Sequence, residues 1–182
     1  MKWIFIIIAA MVLGILLLYF LGGSLISEVT KDVVVEKRGE VLAASLGSPV
    51  PFFELSDLSG RMVKITDFLG EPLIVTFWTT WNVASADQIK ILDDYLAKND
   101  EALFKIIAVS SQEDKSAVAN FINRGGYKVR VLLDETGEAG EKYEARNLPT
   151  TYFIDKDGVV RGVFIGVLSE KMLVEKAERM VK

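Results

Sequence analysis

The stretch from Pro72 to Lys98 constrains the chain most. Pro72 to Trp78 is a near-continuous apolar run of strand length, with only Thr76 interrupting it. Apolar residues on both parities mean a strand buried on both faces, which is the pattern of a central strand in an α/β sheet. Val83 to Lys98 then has helical periodicity, with Ser85, Ile89, Leu92 and Leu96 on one stripe. Only Thr79-Thr80-Trp81-Asn82 separate the two. Asn82 is placed to cap the helix by accepting a backbone N–H. A buried strand that turns so tightly into a half-buried helix points to a layered α/β domain.

The flanking sequence extends that pattern. Phe53–Ser56 and Met62–Ile65 flank Asp57-Leu58-Ser59-Gly60 and read as a hairpin. Thr66–Gly70 reads as a short helical turn closed by glycine. Leu103–Ser110 is a second apolar strand. Ser111 with Asp114 resembles a capping box opening a helix to about Arg124, which Gly125-Gly126 stops. Val129–Leu133 reads as a short strand and Gly137–Arg146 as a helix. Thr151–Ile154 and Val159–Ile165 form a hairpin around Asp155-Lys156-Asp157-Gly158, and Ser169 caps a last helix to about Val181. After the first hairpin the order is β-α-β-α-β-α-β-β-α, which gives a mixed central sheet flanked by helices.

The loop before the helix is where chemistry would sit, because a helix N-terminus presents free N–H groups and partial positive charge. The chain has no Cys and no His. That excludes a disulfide framework, a thiolate metal site and cysteine catalysis, and it removes the commonest general base. Ser85 would need a base to act as a nucleophile, and Asp87, two positions on, is poorly placed to face it. Ser85 is therefore read as a small residue on the buried stripe, bonding a backbone carbonyl. Asp134, Glu135, Glu138, Glu141 and Glu144 are read as a solvated face interspersed with Lys142 and Arg146, so no metal and no cofactor is expected. A net charge of −4 offers no footprint for nucleic acid.

Trp3 to Leu21 carries no charged residue. At helical rise it spans about 28 Å, close to the ~30 Å hydrocarbon core, with aromatics at both ends. A cleaved signal peptide is the competing reading, but the run is long for one and no small-x-small site follows it directly. The expectation is an N-terminal membrane anchor over 1–22, a mixed-charge linker over 23–46 with Val33–Val35 as one short strand, and a domain over 47–182. Lys and Arg near the span weakly favour a cytoplasmic C-terminal side.

Several motifs together resemble the thioredoxin superfamily and, within it, the membrane-anchored TlpA/ResA-type branch, a redoxin-like group of thiol-disulfide oxidoreductases. They are Pro51-x-Phe53-x-Leu55-x-Asp57-x-x-Gly60 with Asp67-Phe68-x-Gly70, then Val75–Trp81, then Leu148-Pro149-Thr150, then Phe153-Ile154-Asp155-x-x-Gly158. The resemblance implies a thioredoxin-like fold, a cis-proline loop at Pro149 and a domain on the extracytoplasmic side. It also places the family's Trp-Cys-x-x-Cys on Trp81-Asn82-Val83-Ala84-Ser85. Asn82 and Ser85 thus stand where the family has its redox cysteines, and disulfide exchange needs a thiolate.

The expected function is accordingly non-catalytic. A binding surface around Trp81, Asn82, Leu148, Pro149 and Thr150 would engage a protein or peptide partner at the membrane, in maturation of envelope proteins. Two alternatives stay open. One is family-type oxidoreductase involvement, in redox homeostasis or cytochrome c maturation, with thiols supplied by a partner. The other is a structural head domain without ligand.

Overall fold

The structure, a computed structural model, describes residues 44–99 and 103–181. The expected anchor at 3–21, and the linker up to residue 43 with its Val33–Val35 strand, lie outside the described residues. Among the described residues no helix is long and apolar enough to cross a membrane.

Strands β1 (Glu54–Asp57) and β2 (Met62–Lys64) form the first hairpin and lead into a 3-10 turn at Ile65–Phe68. Then come β3 (Leu73–Trp78), α1 (Val83–Lys98), β4 (Lys105–Ser111), α2 (Lys115–Gly125) and β5 (Arg130–Asp134). The chain continues through α3 (Glu138–Lys142), β6 (Thr150–Ile154), β7 (Val160–Ile165) and α4 (Glu170–Val181). The sheet order is β2-β1-β5-β4-β3-β6-β7. β3 pairs parallel with β4 and antiparallel with β6, so it lies inside the sheet.

The period of a strand explains the two cores. Ile74 and Trp78 point into one apolar cluster with Ile89 and Leu92 of α1, Val118 and Ile122 of α2, and Leu173 and Ala177 of α4. Leu73, Val75 and Phe77 point into the other, with Val63, Ile107, Tyr143 and Tyr152. Every β3 side chain is buried. Thr76 is tolerated there because its hydroxyl lies 3.0 Å from that of Thr151 on β6. Ala44, which the sequence assigns to the end of the linker, is already packed into the second cluster, and its N–H donates to the Lys142 carbonyl at 3.2 Å.

Three local expectations are corrected. The capping box before α2 does not form. Ser111 ends β4, and the helix is capped at Asp114 without a side-chain hydrogen bond. The helix expected over 137–146 is only Glu138–Lys142, because Glu144 takes a φ of 51° and breaks it. Asp134 is not on a solvated face. It is buried at the end of β5, and its carboxylate accepts the Ala139 and Gly140 N–H groups that open α3.

Candidate functional site around the loop before helix α1

The loop between β3 and α1 is held from two sides. On one side, Glu113 accepts the Thr80 N–H at 2.8 Å and the Thr80 hydroxyl at 2.5 Å, and also the Ser110 hydroxyl at 3.1 Å. One carboxylate thereby ties the loop to the end of β4. Sequence reasoning missed Glu113. It reads as one more charge near a helix start, and only the tertiary pairing shows its role.

On the other side stands Asn82. Its Oδ1 accepts the Ser85 N–H at 3.1 Å, so it is the N-cap the sequence predicts. Its Nδ2 donates to the Leu148 carbonyl at 3.2 Å. The side-chain amide thus joins the helix start to the proline loop. The Leu148–Pro149 peptide is cis. The Pro149 carbonyl accepts the Gly166 N–H at 2.8 Å, which brings the end of β7 against the same loop. The Leu148 N–H donates to no described residue.

The expected site residues divide by exposure. Trp81 is 72% exposed and the adjacent Val83 is 77% exposed. Asn82 and Leu148 are half-buried. Pro149 and Thr150 are buried, and the Thr150 hydroxyl donates to the Asn147 carbonyl, so Thr150 braces the loop from beneath and offers no surface side chain. Trp81, Asn82 and Leu148 therefore form the accessible part. Exposed Ile165 and Val167, on either side of Gly166, are apolar neighbours that the sequence reading did not include.

Ser85 is fully buried, and its hydroxyl has no hydrogen-bond partner among the described residues. The carbonyl bond expected for it is absent. Farther along α1, buried Gln88 accepts the Leu168 N–H at 2.6 Å and ties this helix to the segment before α4. Behind the proline loop, burial raises the Tyr152 phenol to about 12, with the Glu144 charge adding to it. Burial also pushes the Tyr143 phenol well above its ordinary range. Both phenols are core donors, Tyr143 to the Pro51 carbonyl at 3.1 Å and Tyr152 to the Tyr143 carbonyl.

A mixed sheet, a loop before the helix that follows its inner strand, and a proline loop packed against that helix start define a thioredoxin-like domain. Comparison with known proteins gives the family. Residues 46–163 match the AhpC/TSA family. The thiol-disulfide oxidoreductase ResA of Bacillus thuringiensis subsp. konkukian is 30% identical over 135 residues, which cover 74% of this chain and 78% of that protein. The chain belongs to the AhpC/TSA family, in its thioredoxin-like branch of the ResA type. Among solved structures, a putative thiol:disulfide interchange protein DsbE from Chlorobium tepidum superposes with a TM-score of 0.70 at 21% identity, covering 77% of this chain and 100% of that one. The exposed lipoprotein thioredoxin Etrx1 of Streptococcus pneumoniae has a TM-score of 0.60 at 26% identity, covering 70% and 98%.

Proposed function

We propose that this is a membrane-anchored, extracytoplasmic member of the family that binds a protein or peptide partner and carries out no thiol chemistry of its own. The observation that carries the reading is the state of the two redox positions. The Asn82 amide is engaged at both ends, as a helix cap and as a donor to Leu148. Ser85 is sealed in the core. Neither atom set can accept the electron pair of a dithiol, because no sulfur is present to form the new bond. Support for binding comes from the exposed apolar residues Trp81, Val83 and Ile165 around the proline loop, and from the Leu148 N–H, which donates to no described residue and suits an extended peptide.

Anchoring rests on the uncharged run at 3–21, followed by a linker over 23–46 and the domain over 47–182. Extraction of membranes at alkaline pH tests it. The protein should stay with the membrane, and release into the supernatant would reject the anchor.

Binding is tested by photocrosslinking from position 83 in intact cells. A discrete adduct that disappears on Trp81→Ala is expected, and a blank lane from folded, expressed protein would reject the surface.

The oxidoreductase reading is the second one, favoured by the name of the ResA relative. Insulin reduction by the purified chain separates the two. Wild type should show the background rate, whereas Asn82→Cys with Ser85→Cys should gain activity on the retained scaffold. Turnover by the wild-type chain would overturn the non-catalytic reading.

A further inference from the structure

Strand β1 is longer than the partner β5 offers it. Only Ser56 and Asp57 pair with β5, opposite Leu133 and Leu132. β5 stops at Asp134, and the chain then turns into α3. The first half of β1 therefore faces a gap between the hairpin and α3, a cleft of about 430 Å³. The gap lies within the sheet, because the edge strand here is β2 and not β1.

The hairpin sets which backbone groups face the gap. The Ile65 N–H donates to the Phe53 carbonyl at 3.1 Å, and the Asp57 N–H donates to the Arg61 carbonyl at 2.9 Å. In an antiparallel pair, residues bonded this way alternate with residues whose N–H and C=O point to the other side. Glu54 and Ser56 are thus aimed away from β2, and Ser56 meets Leu133. Glu54 would meet Glu135, but β5 has already ended. Its N–H and its carbonyl make no backbone hydrogen bond with any described residue. An open stretch of strand edge beside a cleft is the feature that strand addition uses.

We infer that this cleft takes an extended peptide segment in which cationic and apolar residues alternate, added to β1 where β5 stops. Successive side chains of an extended chain point to opposite sides. Buried Phe53, Leu133 and Ala139 offer an apolar floor to one set. Exposed Glu54, Glu135 and Glu138 form the rim that meets the other. Glu54, Asp134, Glu135 and Glu138 line the cleft against a single cation, Lys142, so charge selects Lys or Arg over Asp or Glu. Glu135 has no ion pair among the described residues, and Glu54 holds Lys64 only at 3.9 Å, so both are open to a new cation. Exposed Phe52 and Met62 also line the cleft and suit the methylene stems of such side chains. The cleft shares no residue with the surface around Trp81, so this inference stands apart from the partner site proposed above.

The test titrates the full-length protein, in a zwitterionic detergent, with acetylated and amidated Val-Lys-Val-Lys-Val, read by calorimetry and by hydrogen exchange. The peptide should saturate with a Kd on the order of 0.1 mM and slow exchange at the Glu54 amide. The acidic counterpart Val-Glu-Val-Glu-Val should not saturate. Glu135→Gln and Glu54→Gln should each weaken binding about 3-fold, the worth of an exposed ion pair. Glu54→Pro removes the N–H as well and should weaken it about 10-fold. If Glu54→Pro fails to fold, Glu135→Gln and the exchange at Glu54 still decide. Trp81→Ala should leave the affinity unchanged. Absence of saturation, equal binding of the acidic peptide, or saturation without slowing at Glu54 would overturn the inference. Loss of binding on Trp81→Ala would also overturn it, by moving the peptide to the other surface. So would slow exchange at Glu54 before peptide is added. Dependence of that protection on protein concentration would assign the edge to a second copy, and independence would assign it to a segment of the same chain.

Discussion

At the scale of single residues, the two positions that replace the family's cysteines differ in kind. Asn82 makes two hydrogen bonds across two elements, so Asn82→Ala removes both a cap and a link to the proline loop. The expected loss is about 1–2 kcal/mol in urea unfolding. Asn82→Asp separates the parts. It keeps an oxygen for the Ser85 N–H but has no donor for the Leu148 carbonyl, so it should recover only part of the loss. A variant as stable as wild type on Asn82→Ala would show that neither bond matters. Ser85 has the opposite character. Its buried hydroxyl has no partner among the described residues, so Ser85→Ala should be neutral or slightly stabilising in the same assay. A loss above about 1 kcal/mol would mean the hydroxyl is bonded after all. The sequence made Asn82 legible as a cap, because capping is set by local geometry. It left the Leu148 bond invisible, since 66 positions separate the partners. The Ser85 expectation failed for a related reason. A helical serine commonly bonds the preceding turn, and only packing decides otherwise.

At the scale of elements, strands and long helices were readable because their periods are strong. Buried β3 and the α1 stripe appear in the sequence nearly as they fold. The misses occur where an acid bonded to other segments decides the ending. Asp134 was grouped by spacing with a row of surface carboxylates, but it closes β5 and caps α3. Glu113 passed unnoticed because its partners, Thr80 and Ser110, come from two other segments. It is nevertheless the clamp that sets the course of the loop between β3 and α1. Glu113→Ala should cost about 2–3 kcal/mol, since it strips a charged acceptor from three donors. It should also raise hydrogen exchange at the Thr80 amide selectively. Equal exchange at Thr80 in both proteins would show that the loop holds its course without the clamp.

At the scale of the folded unit, the two hairpins close on the same device, and this makes an acid response predictable. Asp57 accepts the Ser59 and Arg61 N–H groups, the Ser59 hydroxyl and the Arg61 guanidinium. Asp155 accepts the Asp157 and Val159 N–H groups and the Arg161 guanidinium. The Ser59 hydroxyl, with the backbone donors and the Arg61 charge, lowers the Asp57 carboxyl from its ordinary 3.8 to about 2 against the opposing effect of burial. For Asp155, burial pushes upward, but the Val159 N–H and the Arg161 side chain prevail and hold it below the ordinary range. A carboxyl whose folded pKa is depressed binds its proton more readily in the unfolded chain. Its contribution is therefore complete above the unfolded value, near 3.8, and is lost as pH falls through the folded value, about 2 for Asp57. Stability from urea unfolding should be flat with respect to these two groups above that window and decline within it. Asp57→Asn should be less stable than wild type at neutral pH and should flatten the acid slope, because one of the two titrations is gone. The two hairpins sit in different parts of the sheet, β1 and β2 at one edge and β6 and β7 at the other, so the effects of Asp57→Asn and Asp155→Asn should add. An acid slope unchanged by both substitutions together would place the acid sensitivity of this fold elsewhere and leave the hairpin aspartates as turn formers only.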